Sequence, residues 1–282
     1  MKKVFFEDVV LAVKKLVHAA SSLTPSCERA LENALKCEKN FNAQFALDTI
    51  LTNDTLAKSE DLPVCQDTGM AVFFVEYGQE VNFVGGDFEE AINEGVRQGY
   101  EEYGYRASVL DPITRKNTGD NTPAVVHTRI VKGDNVKISF MAKGFGSENM
   151  SKLYMLTPSK GLEGVKQVVL QAVKEAGANP CPPIVVGVGI GGTAEKAMEI
   201  AKEALLREVG EPSEDATLAN LEKELLEGIN ALGIGAQGFG GNNTALAVHV
   251  AKYPTHISAL PVAVNIQCHA VRTASVVIGG RE

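Results

Sequence analysis

At Asp61 the hydrophobic pattern of this chain changes period, and that change limits the folds open to it. Before it, Val4, Phe5, Val9, Val13, Leu16 and Val17 recur at helical spacing, and Thr24-Pro25-Ser26 reads as a helix start. Residues 4–59 therefore predict two or three helices. After Asp61 the pattern turns to strand. AVFFVEYG (71–78) and EVNFV (80–84) read as a hairpin around Gly78-Gln79. AVVHTRIV (124–131) and VKISFMA (136–142) read as a second hairpin around Lys132-Gly133-Asp134-Asn135. Helical patterns return over 87–103, about 161–176, Thr193 to about Glu208, and 214–228, with the strand IVVGVGI (184–190) among them. From Thr244 onward the chain is apolar and β-rich. The expected fold is a single α+β domain over 1–282. A helical part covers about 1–60, and mixed or antiparallel sheets with flanking helices follow it.

Bulk properties remove several function classes. With 45% hydrophobic and 22% charged residues the composition is that of a soluble globular protein. A net charge of −8 argues against a nucleic-acid surface, where affinity comes from Lys and Arg neutralising phosphates. Glu7, Asp8, Lys14 and Lys15 interrupt any signal-peptide core. The long uncharged segments 176–194 and 228–248 carry too much Gly, Pro and Asn for a membrane span. Five widely spaced cysteines do not suggest a disulfide framework, and a reducing, cytoplasmic setting is expected.

Gly187-Val188-Gly189-Ile190-Gly191-Gly192 satisfies G-x-G-x-x-G between a strand and a helix, the context of a dinucleotide-binding turn. The following EVGEPSEDATLANLEKELLEG (208–228) is polar and then helical, where a dinucleotide fold needs a parallel strand ending in an acid. A tight turn with close backbone packing, or an anion-binding turn of another fold, fits better than NAD binding.

Chemistry concentrates elsewhere. PVCQDTG (63–69) sets a thiol, an amide, a carboxylate and a hydroxyl on one turn. Alone, Asp67, Thr68 and Gly69 are turn residues and Cys65 a small hydrophobe. Cys181 in NPCPPI and Cys268 in NIQCHAV also adjoin turns or strand ends, whereas Cys27 and Cys37 lie in helical sequence and read as packing thiols. The spacing of Cys65, Cys181 and Cys268 matches no zinc finger and no ferredoxin run. Around them stand NTGDNT (117–122), KGFGSEN (143–149) and GAQGFGGNNT (235–244). Glycine lets backbone N–H groups approach a ligand, so several such loops suggest a site for a small anion.

Taken in order, PVCQDTG, YRAS (105–108), NTGDNTPAVVH, KGFGSENMS, NPCPPIVVGVGIGGT, GAQGFGGNNTALAVHV and QCHAVR resemble the α-subunit, or N-terminal half, of class I iron–sulfur fumarate hydratases and the related L-tartrate dehydratases. Phe145 departs from the glycine expected there in many relatives. The resemblance implies that Cys65, Cys181 and Cys268 hold a 4Fe–4S cluster with one open iron, a Lewis acid for non-redox chemistry. It implies Asp67 as a catalytic acid or base, and Gln66, Arg106, Gly144, Gly146 and His256 as substrate-binding residues for a small dicarboxylate. Without it, Arg106 reads as a surface ion pair and His256 as a structural histidine. In single-chain members a second half follows, so the resemblance also implies a β-subunit that completes the active site, and a higher oligomer of αβ units. The implied reaction is fumarate–malate interconversion, with tartrate dehydration as the alternative and an iron–sulfur carrier or sensor as a more distant one.

Overall fold

The computed structural model describes residues 2–281. The elements run β1 (Lys2–Phe5), α1 (Phe6–Ala19), α2 (Pro25–Cys37), α3 (Phe41–Ser59), β2 (Met70–Gly78), β3 (Val81–Val84) and α4 (Phe88–Glu102). Next come β4 (Val125–Val131), β5 (Asn135–Lys143), the one-turn α5 (Phe145–Glu148), β6 (Lys152–Leu156) and α6 (Gly161–Ala176). The chain ends with β7 (Ile184–Gly191), α7 (Ala194–Glu203), α8 (Ala216–Asn230), β8 (Ala245–Tyr253), β9 (Leu260–Gln267) and β10 (Thr273–Gly279). The chain is α+β, as its patterning predicts. It divides into two compact units, one of residues 1–23, 57–145 and 272–282, the other of residues 24–56 and 146–271.

In the first unit a four-stranded sheet has the order β10-β5-β2-β4, and β1 pairs with β3 beside it. Val9, Val13, Leu16 and Val17 of α1 and Ala91, Ile92, Val96 and Tyr100 of α4 join Phe73, Val75, Ile138 and Phe140 of the sheet in one buried core. The helical pattern begins one turn late, because Lys2–Phe5 is extended and pairs in parallel with β3. Neither expected hairpin forms. Both edges of β2 are taken, one by β5 antiparallel and the other by β4 parallel, so β3 has no edge of β2 to join. The turn after β4 crosses the end of β2, where Gln79 N–H donates to the Val131 carbonyl (2.8 Å), and delivers β5 to the far side.

In the second unit the sheet order is β6-β9-β7-β8. Ile184, Val186 and Val188 of β7 pack with Val165, Val169 and Val173 of α6 and Leu218, Leu221 and Leu225 of α8. Alternate residues of a strand face opposite ways, so Gly187 and Gly189 face α7. A Cβ at Gly187 would lie 2.0 Å from the Ala201 carbonyl oxygen, and one at Gly189 would lie 2.1 Å from that of Ala197. GVGIGG is thus a backbone-packing device. A parallel strand, β8, does arrive beside β7, but only after a second helix, and it ends in Lys252-Tyr253 with no acid to hold a ribose. Helix α2 begins as expected, with Thr24 Oγ1 accepting from Cys27 N–H (3.3 Å) and Pro25 in its first turn.

Among the described residues no helix is long and apolar enough to cross a membrane.

Candidate active site

Two groups of side chains form, one in each unit. The first is built around the turn that enters β2. Gly69 has φ +85°, and a Cβ there would meet the Ala142 carbonyl carbon at 2.8 Å, so only glycine lets this turn lie against β5. The Asp67 carboxylate is held from three directions. Its Oδ1 accepts from Gly69 N–H (3.1 Å) and from Arg106 Nη2 (3.3 Å), and its Oδ2 accepts from Phe145 N–H (2.9 Å). Arg106 is oriented in turn. Its Nε donates to Ser108 Oγ (2.9 Å), and Thr68 Oγ1 donates to the Arg106 carbonyl (3.1 Å). Fully buried Asn121 links the same turn to YRAS, donating from Nδ2 to the Gly69 carbonyl (3.2 Å) and accepting at Oδ1 from Ser108 N–H (2.8 Å). A Cβ at Gly144 would come within 3.4 Å of Asp67 Oδ2, so glycine keeps that side of the carboxylate open. Four motifs, PVCQDTG, YRAS, NTGDNTP and KGFG, thus converge on the Asp67 turn. Cys65 stands at the start of this turn, partly exposed, its Sγ–H donating to Gln66 Oε1 (3.3 Å).

The second group joins Cys181 and Cys268. Cys181 is exposed and has φ 54°, a left-handed conformation uncommon outside glycine and often associated with functional sites. Its carbonyl accepts from His269 N–H (3.3 Å) and lies 2.9 Å from His269 Nδ1. A carbonyl can only accept, so Nδ1 carries the proton. These bonds tie the Cys181 loop to Cys268-His269. Gln237, also at positive φ (51°), braces the Cys181 loop. Its N–H and Nε2 donate to the Pro182 carbonyl (2.7 and 2.8 Å). A Cβ at Gly146 would lie 3.5 Å from the Asn179 carbonyl oxygen, which places this glycine beside the Cys181 loop. Glu38 anchors the far end of the Gln237 loop. Burial raises its pKa, but bonds from Asn40, Asn243, Asn242 and Lys39 outweigh that and hold it below the usual carboxylate range. Cys27 donates its thiol to the His269 carbonyl (3.1 Å), and burial pushes its pKa up to about 12. It is therefore a protonated packing thiol, as its sequence context predicts.

His256 does not join the cysteines. Thr255 Oγ1 donates to the Gly192 carbonyl (2.9 Å), which pins the His256 loop to the C-terminal end of β7. Cys181 precedes the N-terminal end of β7, and Gln267, next to Cys268, pairs with Val185 at that same end. The length of β7, about 20 Å at the usual rise per residue, lies between them. His256 instead lines a cavity of 430 Å³ with Gly192, Thr193, Lys196 and Tyr253, its Nδ1 accepting from Ser258 N–H (3.2 Å).

Convergence of these motifs agrees with what the chain is similar to. Residues 10–277 match the family model described as fumarate hydratase (Fumerase). The chain belongs to the class I fumarate hydratase and tartrate dehydratase α family. A putative L(+)-tartrate dehydratase subunit alpha of Methanocaldococcus jannaschii is 44% identical over 273 residues, 95% of each chain. An L(+)-tartrate dehydratase subunit alpha of Escherichia coli (strain K12) is 34% identical over 231 residues, 80% of this chain and 76% of that one. Membership of this family makes the chain a hydro-lyase component.

Among the described residues no three His, Cys, Asp or Glu side chains are gathered as a metal site. The chemistry of the donors nevertheless suits an iron–sulfur cluster of this family. Cys65, Cys181 and Cys268 are in no disulfide among the described residues, lie on loops, and are exposed or partly so, while buried Cys27 cannot serve.

Sequence reasoning left several residues of the Asp67 group without a role. Tyr100 OH reaches the carbonyls of Thr68 and Gly69 (2.9 Å each), and burial raises its pKa. Lys143 and Arg272 are both buried. For Lys143 the signal is a cation closing the apolar run of β5; Arg272 precedes β10 and carries no such signal.

Proposed function

We propose that this chain is the α-subunit of a 4Fe–4S hydro-lyase that adds water to, or removes it from, a four-carbon dicarboxylate. Cys65, Cys181 and Cys268 are the cluster ligands in this reading. When bound, the cluster supplies a Lewis-acidic iron for the substrate's hydroxyl and one carboxylate. Arg106, more than half exposed, offers its guanidinium fork to a carboxylate. Gln66 adds an amide beside it. Asp67, three-quarters buried and fixed by three N–H groups, is the group placed to hold or move a proton at the reacting carbons. Forming the alkene takes a proton from one carbon and hydroxide from its neighbour, so a fixed carboxylate beside cations suits the developing charge.

The observation that carries this reading is the pair of hydrogen bonds from His269 to the Cys181 carbonyl, which bring two of the three thiol loops together within one unit. Fumarate–malate interconversion is the reading drawn from the motifs, and the names of the relatives favour L(+)-tartrate. Those names, of alpha subunits, also favour a second subunit; in this reading it completes the site, and αβ units pair further. For His256 to touch the same substrate, it must come from a second copy of the chain.

The test is iron and acid-labile sulfide per chain after reconstitution without oxygen, beside Cys181→Ser. About four of each is expected, falling in the variant. Turnover of malate and of L(+)-tartrate, with the second subunit added, then assigns the substrate. Air should abolish the activity, and anaerobic iron and sulfide should restore it. Absence of sulfide in both samples would overturn the cluster assignment.

A further inference from the structure

Arg272 is 2% exposed, and its Nε is buried without a hydrogen-bond partner. No carboxylate among the described residues forms an ion pair with it: the one hydrogen bond of its side chain runs from Nη1 to the main-chain carbonyl of Asp67 (2.7 Å). A buried guanidinium without a counter-ion is costly, by several kcal/mol in general, so a fold has no stability reason to keep one there.

What it holds is the Asp67 turn. Each carbonyl of residues 67–69 receives a buried donor. Asp67 takes Arg272, Thr68 takes Tyr100 OH, and Gly69 takes Tyr100 OH and Asn121 Nδ2. Arg272 itself is fixed where its carbonyl accepts from Ala142 N–H (3.0 Å), at the start of β10 beside the end of β5. The same end of β5 leads to Phe145, whose N–H grips Asp67 Oδ2. Its Nη2 lies 3.5 Å from the point where a Cβ at Gly144 would stand, a point 3.4 Å from Asp67 Oδ2.

We propose that Arg272 is a positioning residue for the Asp67 carboxylate, acting through the Asp67 main-chain carbonyl to fix the turn that aims the side chain. The inference deepens the hydro-lyase reading and rests on it for its consequence in catalysis. Its geometric part does not. Retaining an unpaired buried cation then makes sense as a stability sacrifice for function.

Arg272→Met separates this from a structural role. The variant matches the arginine stem in volume and removes the unpaired charge. In the reconstituted holoenzyme three results are expected together. Tm is unchanged or higher. The amides of Gly69 and Phe145, which report the grip on Asp67, exchange with solvent about tenfold faster, while amides elsewhere in β2 and β5 do not. The value of kcat falls about 100-fold with KM changed much less, as for a misplaced catalytic group. Val136→Ala, a cavity in β5, is the control, lowering Tm and raising exchange across the sheet without singling out Gly69 and Phe145. If Arg272→Met lowers Tm and raises exchange throughout the sheet as the control does, or leaves the two amides protected, the proposal is overturned. Should the parent turn over none of malate, fumarate and L(+)-tartrate, the hydro-lyase reading fails, and the exchange result still decides whether Arg272 fixes Asp67.

Discussion

His249 is almost wholly buried, and its environment dictates one protonation state. Its Nδ1 lies 3.1 Å from the Ala204 carbonyl, and its Nε2 is buried without a partner. Burial, aided by the nearby Arg207 guanidinium and only partly opposed by Glu222, lowers its pKa to about 4. The unfolded chain binds that proton near pH 6.5 and the folded chain resists it until about pH 4, so between those values the unfolded state holds more protons. The stability gained from a neutral His249 is therefore complete above about pH 6.5 and is lost as pH falls toward 4. Going from about pH 7.5 to about pH 5 should remove about 2 kcal/mol from this group. Urea unfolding at the two pH values checks it. His249→Phe should flatten that part of the slope, whatever it does to the plateau; an undiminished slope would assign it to other groups. The sequence alone gives His249 no role, because burial on both faces of β8 is a tertiary fact.

Elements show where pattern suffices and where it stops. Helices α1, α4, α6, α7 and α8 were legible because each carries an apolar stripe at helical spacing. Thr24 caps the start of α2 and Asp87 that of α4. Strand pairing was not legible. A hairpin reading assumes that neighbours in sequence are neighbours in the sheet, yet β5 and β4 flank β2 on opposite sides. What decides is competition for the edges of β2, and nothing local encodes it. The site was legible in the same uneven way. Cys65, Gln66, Asp67, Arg106 and Gly144 fall into one group, and Cys181, Cys268 and Gly146 into the other. Tyr100 and Arg272 announced no chemistry, since their roles depend on carbonyls they reach across the fold. GVGIGG gives a prediction at this scale. Gly189→Ala would push a methyl into the Ala197 carbonyl and the Ala201 amide of α7, backbone atoms that cannot move aside alone. A loss of about 3 kcal/mol in denaturant unfolding is expected, at the upper end of overpacking. A stable variant would return the motif to ligand binding.

At the scale of the whole molecule, the acidic balance of −8 coexists with buried cations. Lys143 and Arg272 are both inside the unit that carries Asp67, so net charge describes the exterior and not the site. The placement of His256 bears on assembly. It and the two cysteines of its unit occupy opposite ends of β7, a separation fixed by eight residues of paired strand. Loop motion of a few ångströms does not close about 20 Å. If His256 binds substrate, two copies must exchange it, each chain's thiols working with the other's histidine. In a two-fold pair of this kind the defects His256→Asn and Cys181→Ser fall together in one site when the variants share a dimer, which leaves the other site intact. Each variant alone should be inactive. Co-assembled in equal amounts, half the dimers are mixed and half their sites are whole, so about a quarter of parental activity should return. Activity in His256→Asn alone removes the histidine from the site, and silence in the mixture removes the exchange.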